Sequence, residues 1–254
     1  ALLFNKVIIV TTYKMAQTKT IHTSRTIMSS ELNKVMDFPR VHLDYFEIMA
    51  DNVFNKKTES SKKKTINYLT QLYSFKKEDE KFLSLEHYWS KIEDNEKPLL
   101  AILFAVSKDY LLQKSVDFVK SIKDSDKASI EAFEANIEHY HVNRFSPKTL
   151  RSVSQNVASS WKQAGYVHGK MKNIRTVNTP SYFVVSFAFL MAYLDGFRGD
   201  YLFDHPSVKA LDASKQEIMT LIKAAADRDL LDFNRSGVSL VISFDKYLKT
   251  LNDV

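Results

Sequence analysis

The sequence has no cysteine, and only five glycines and five prolines among 254 residues. Without thiols there is no disulfide framework, no thiolate zinc site and no cysteine nucleophile, and the composition fits a reducing compartment. A cytoplasmic protein is therefore expected. All five glycines fall at Gly165 or later, so the N-terminal half lacks the residues on which tight turns and hairpins draw. That half is expected to be helical. It also has no glycine-rich phosphate loop, and neither GxGxxG nor GxxxxGK followed by Ser or Thr occurs further on.

Long apolar runs are missing too. The longest, Tyr182 to Leu194, holds thirteen residues, whereas a membrane-spanning helix needs about twenty. It reads as a buried core helix, and no membrane partner is expected. The opening ALLFNKVIIV has no basic segment ahead of it and no small-residue cleavage site behind it, so it does not read as a signal peptide. Met15 reads as a natural start, and residues 1–28 as an N-terminal extension.

From Ser29 to His141 the chain reads as successive amphipathic helices, a bundle over 29–142. Pro39 is expected to open one helix through VHLDYFEIMADNVF, since proline suits a first turn. Thr58 or Ser60 can cap the next, with an apolar stripe of Ile66, Leu69, Leu72 and Tyr73. KFLSLEHYWSKI, PLLAILFAVS, YLLQKSVDFVKSI and SIEAFEANIEHY fit further helices, the last capped by Ser125 or Asp126. Trp89 and Trp161 fall on apolar faces and are expected in the core.

After Val142 the pattern changes. Ser146, Pro147 and Gly165 bracket LRSVSQNVASSWKQA with helix start and stop signals. Tyr166 and Val167, a turn at Gly169 and the alternating Asn173 to Val177 suggest a small hairpin. Ser214 and Glu217 form a capping box ahead of IMTLIKAAADRDL, followed by LLDFN, a turn at Ser236 and Gly237, and VSLVIS. The expected fold is mainly α: a helical bundle followed by a winged-helix-like region over 143–254 with one or two short β-hairpins. The same pattern also occurs in small α+β domains that bind nothing.

The chain carries 36 basic and 30 acidic residues, a formal charge of +6, and the excess is uneven. From His139 to Leu194 no Asp or Glu occurs, while Arg144, Lys148, Arg151, Lys162, Lys170, Lys172 and Arg175 do. A surface that sits on the phosphates of DNA keeps lysine and arginine and excludes carboxylates. On the helix at 148–164, Leu150, Val153, Val157, Trp161 and Ala164 share one side. Lys148, Arg151, Ser152, Gln155, Ser159 and Lys162 lie opposite. The basic residues are expected to grip phosphates, with Ser152 and Gln155 approaching base edges. The plainer alternative is an ordinary solvated helix face.

A second basic cluster, Lys56, Lys57, Lys62, Lys63 and Lys64, surrounds a helix start, where lysines oppose the helix dipole. Phosphate binding and simple solubility both remain open for it. Catalytic constellations are hard to find. His139 and His141, two apart, point to different sides of a helix, and the acidic groups at Glu78 to Glu80 and Glu93 to Glu96 read as solvated faces beside lysines. No catalytic residue, metal, cofactor or small-molecule substrate is expected.

Four segments carry a resemblance: ADNVFNKKTESSKKK, AVSKDYLLQKSVDFV, SPKTLRSVSQNVASSWKQAGYV and LLDFNRSGVSLVISF. Together they resemble the BrxA family, a small helical component of bacteriophage exclusion (BREX) defence systems, over most of the chain from about Leu32. The resemblance implies a non-enzymatic, nearly all-helical protein that binds double-stranded DNA and supports a multi-protein defence complex. It maps the family's basic positions onto Lys56, Lys57, Lys148 and Arg151; the residues before Ser29 depart from its pattern. Rival readings are a scaffold whose basic face docks an acidic partner, an RNA-binding or transcription-regulatory protein, and an enzyme of unrecognised type.

Overall fold

The structure, a computed structural model, describes residues 19–39, 44–169, 172–236 and 239–252. Within them it is mainly helical, with two small antiparallel strand pairs. The bundle opens with α1 (Ser29–Met36) and α2 (Tyr45–Ala50). Asp44, not Pro39, starts α2: its carboxylate accepts the Glu47 N–H at 2.8 Å, and Glu47 accepts the Asp44 N–H at 2.7 Å. This reciprocal cap satisfies two donors at once. α3 (Glu59–Tyr73) is capped by Thr58, whose hydroxyl accepts the Ser61 N–H at 3.1 Å.

α4 (Glu80–Trp89), α5 (Lys97–Lys108) and α6 (Tyr110–Ser121) follow over the expected segments. α7 (Ile130–Tyr140) is capped by Ser129 rather than by Ser125 or Asp126. Ser125 has φ +67°, which takes it out of the extended conformation an N-cap uses.

α8 (Pro147–Gln163) has the boundaries its caps dictate. The Ser146 hydroxyl accepts the Thr149 N–H at 3.3 Å, Pro147 fills the first position, and Gly165 takes φ +84° just beyond the end. Val153, Val157 and Trp161 are buried. The Trp161 Nε1–H donates to Ser115 Oγ on α6 at 2.8 Å, and its ring meets Tyr166 edge-on at 4.8 Å. The hairpin that follows is smaller than expected: β1 (Val167–His168) and β2 (Ile174–Arg175) pair over two residues each.

α9 (Tyr182–Leu194) is buried from Val184 to Tyr193. After it come a 3-10 turn at Gly199–Asp204, α10 (Pro206–Lys209) and α11 (Lys215–Ala226), the last opened by the expected Ser214–Glu217 capping box. β3 (Asp232–Ser236) and β4 (Ser239–Ser243) pair antiparallel, Asp232 opposite Ser243, and α12 (Asp245–Asn252) ends the described chain. Gly237, the expected turn residue, lies outside the described residues.

The run that looked like a core helix is the hub: α9 packs against α4, α5, α10 and α11. Each large side chain it buries, such as Phe187, Phe189 or Leu190, is worth about 1.5 to 3 kcal/mol. One cluster of buried side chains runs from Ile21 to Tyr247 and draws on both 29–142 and 143–254. Trp89 joins it, with its Nε1–H donated to Asp37 Oδ1 at 2.8 Å.

Candidate functional site

α8 is gripped along both flanks. On one side the segment before α1 is stitched to it: Asn156 Nδ2 donates to the His22 carbonyl at 2.9 Å, the Ile27 N–H to Ser160 Oγ at 3.0 Å, and the Ser29 N–H to Gln163 Oε1 at 3.0 Å. On the other side it packs closely on α7. Between these flanks one stripe faces solvent. Lys148, Ser152 and Gln155 are exposed, and Ser159 and Lys162 are half-exposed.

Those five residues recur at alternating spacings of four and three, which holds them within about 40° of a single line. Lys148 and Lys162 end the stripe about 21 Å apart along the axis, with the uncharged donors and acceptors between them. Lys148 has no carboxylate partner among the described residues. Lys162 donates to the Gly169 carbonyl at 2.8 Å, which ties the hairpin to the helix and leaves the ammonium charge unneutralised. Arg144, ahead of α8, is exposed and lies over the Phe145 ring at 5.5 Å. Lys172 is exposed in the hairpin loop. Lys170 lies outside the described residues.

Two arginines expected on this surface are placed otherwise. Arg175 is 2% exposed. Its guanidinium donates to the carbonyls of Val119 at 3.1 Å, Tyr166 at 3.3 Å and Thr176, and to Asp212 Oδ1 at 2.5 Å. It cannot grip phosphate from there; it is an internal staple. Arg151 is exposed as expected, but it reaches Glu131 at 2.8 Å and Glu134 at 3.3 Å on α7. The stretch is acid-free along the chain and not in space. Asp124 adds to this by accepting the Val177 N–H at 3.0 Å, the hydrogen bond that does most to hold its carboxyl below the usual range.

The second basic cluster divides similarly. Lys56 pairs with Glu31 at 2.8 Å, and Lys62 pairs with Glu59 at 2.9 Å while donating to the Ala50 carbonyl at 3.1 Å. Glu59 in the first turn offsets the unfavourable placement of Lys62. Lys57, Lys63 and Lys64 are exposed without a carboxylate partner among the described residues. The start of α1 joins the two clusters, since Glu31 holds Lys56 and Ser29 meets Gln163 of α8.

The chain also contains a Ser–His–Asp arrangement that no sequence spacing announces. His22 Nδ1 stands 2.9 Å from Asp109 Oδ2, and His22 Nε2 stands 2.8 Å from Ser160 Oγ. All three are buried, and the Ser160 oxygen is already engaged by the Ile27 N–H and the Asn156 carbonyl, each at 3.0 Å. A nucleophile needs a free oxygen facing substrate. This one is sealed, and the group latches residues 20–29 to α6 and α8. Burial pushes the Asp109 carboxyl upward, but His22 and the backbone N–H groups of Ile21 and Leu112 outweigh it and hold the pKa below its usual value.

Among the described residues no group of three or more His, Asp or Glu side chains is arranged to hold a metal ion, and no helix is long and apolar enough to cross a membrane. A cleft of about 690 Å³ is lined by Lys120, Arg175, Pro180, Asp212 and Leu221, off the α8 stripe. No family model, no curated protein and no solved structure matches the chain.

Proposed function

We propose that this chain is a non-enzymatic double-stranded DNA-binding component of a bacterial phage-defence (BREX) system, working in the cytoplasm beside other proteins of that system. The observation that carries the DNA-binding part is the exposed stripe of α8: a lysine at each end and Ser152, Gln155 and Ser159 between. The B-form major groove, about 12 Å wide, admits one α-helix and is bordered by phosphates on both sides. A helix lying in it meets phosphate near its two ends and base edges at its centre, the order of chemistry along this stripe. The deep, narrow major groove of A-form RNA excludes such a helix, which favours DNA over duplex RNA.

In this reading 143–254 is a winged-helix-like unit. α8 is its reading helix, the β1–β2 turn with Lys172 is a short wing, and α11 with β3 and β4 repeats the plan. Arg144 and the exposed lysines 57, 63 and 64 add phosphate contacts outside the groove. The defence assignment rests on the family resemblance of the four segments quoted above.

Titrating a labelled duplex with the full chain at several salt concentrations tests the DNA reading. Affinity is expected to fall steeply with salt, at about 0.9 per phosphate contact on a double-logarithmic plot. Salt-independent binding, or none at physiological salt, contradicts it. A second reading is a scaffold whose basic face docks an acidic partner. That reading expects no duplex binding but stable co-purification of a partner.

A further inference from the structure

Arg151 sits at the edge of the α8 stripe with its guanidinium between Glu131 and Glu134 of α7, at 2.8 and 3.3 Å. The side chains of Arg151, Glu131 and Glu134 are 46%, 66% and 24% exposed. Exposed pairs of this kind contribute little to folding and exchange readily, so the triad is a poor staple for two helices that already pack closely. A phosphate approaching this flank meets two carboxylates and a cation already engaged by them.

We infer that Glu131 and Glu134 are a built-in brake on the DNA-binding surface: they hold Arg151 away from phosphate in the free protein and release it only when DNA is seated on the stripe. This rests on the DNA-binding reading above. The brake lowers affinity for any phosphate chain that offers backbone charge alone. A duplex that also engages Ser152 and Gln155 in its groove pays that cost and still binds. Carboxylates bordering a cationic surface act against wrong partners in this way, by repulsion.

The test is fluorescence anisotropy of the 254-residue chain on a labelled duplex at about 0.1 M salt, comparing wild type with the Glu131→Gln/Glu134→Gln double variant. The exposed pair Glu78→Gln/Glu93→Gln removes the same charge elsewhere and serves as the control. The brake predicts about three- to tenfold tighter binding for the first pair, clearly more than for the control, and a salt slope steeper by about one phosphate contact. It also predicts that Arg151→Ala weakens binding more in the Glu131→Gln/Glu134→Gln background than in wild type, because in wild type the phosphate contact is offset by the two carboxylate contacts that Arg151 gives up. Wild-type binding that neither pair changes, or that both strengthen equally, overturns the brake and leaves the DNA reading standing. No duplex binding by wild type or variants overturns both.

Discussion

Arg175 and Asp212 meet in the interior with Nη2 and Oδ1 2.5 Å apart and their side chains 1% and 2% exposed. Asp212 also accepts the Asn178 N–H at 3.1 Å and faces Lys120 at 3.0 Å. The β1–β2 hairpin is thus fastened from below by a charge pair, and its basic residue belongs to the fold. Removing one partner of a buried pair costs roughly 3 to 5 kcal/mol. Arg175→Met is expected to lose about that much in urea unfolding while the salt slope of DNA binding, measured where the variant remains folded, stays unchanged. Unchanged stability with a shallower slope would return Arg175 to the binding surface.

The His22–Asp109–Ser160 latch makes two linked expectations. Ser160→Ala leaves the Ile27 N–H without its acceptor and should cost about 1 to 3 kcal/mol. Fluorophosphonate probes, which label activated serines, should not modify the wild-type chain. Labelling that Ser160→Ala abolishes would make the arrangement catalytic.

His205 sets part of the pH dependence. Its Nδ1 accepts the Ser207 N–H at 3.2 Å, and its Nε2 lies 2.9 Å from Asp195 Oδ2, so the neutral ring with the proton on Nε2 fits both partners. Burial pushes its pKa below the ordinary 6.5, against the pull of Asp195. The unfolded chain then takes up a proton near pH 6.5 that the folded chain refuses until lower pH. His205 therefore contributes stability that is complete above pH 6.5 and lost as pH falls through its depressed value. His87, lowered by burial and Lys91, and His141, lowered by burial and the Arg144 and Lys114 charges, act with the same sign. Tm should fall from pH 7.5 to pH 5, less steeply in His205→Asn; a flat or rising Tm contradicts this.

The phosphate and base contacts proposed for the stripe are separable by their signatures. Lys148→Ala or Lys162→Ala should each reduce the salt slope by about one and weaken binding to all duplexes alike. Gln155→Ala should leave the slope intact and change the ranking of duplex sequences in a selection experiment. A Gln155→Ala variant with unaltered preferences removes it from base readout.

Much of this architecture is legible in the sequence because it is specified locally. The Ser146 cap and Pro147 fix the start of α8 and Gly165 its end, the Ser214–Glu217 box fixes the start of α11, and the apolar run at 182–194 can only be interior. The solvent stripe of α8 follows from helical phase alone. What could not be read is pairing across distance. Arg175 and Asp212 are 37 residues apart, Arg151 and Glu131 are 20, and His22 and Ser160 are 138. A count of charges along the chain records their absence between 139 and 194, while the fold brings Glu131, Glu134, Asp124 and Asp212 to that stretch from outside it. Asp79 illustrates the same limit: within a run that reads as solvated, it caps α4 and pairs with Lys108 at 2.8 Å.

The most direct test of the central claim is duplex binding by a Lys148→Ala/Arg151→Ala/Lys162→Ala variant, followed by anisotropy across a salt series beside wild type. If α8 is the DNA-binding helix, affinity should fall at least tenfold near 0.1 M salt and the slope should drop by two to three contacts, with circular dichroism unchanged. A triple variant that binds duplex as tightly as wild type, with the same slope, would show that the α8 stripe does not hold DNA.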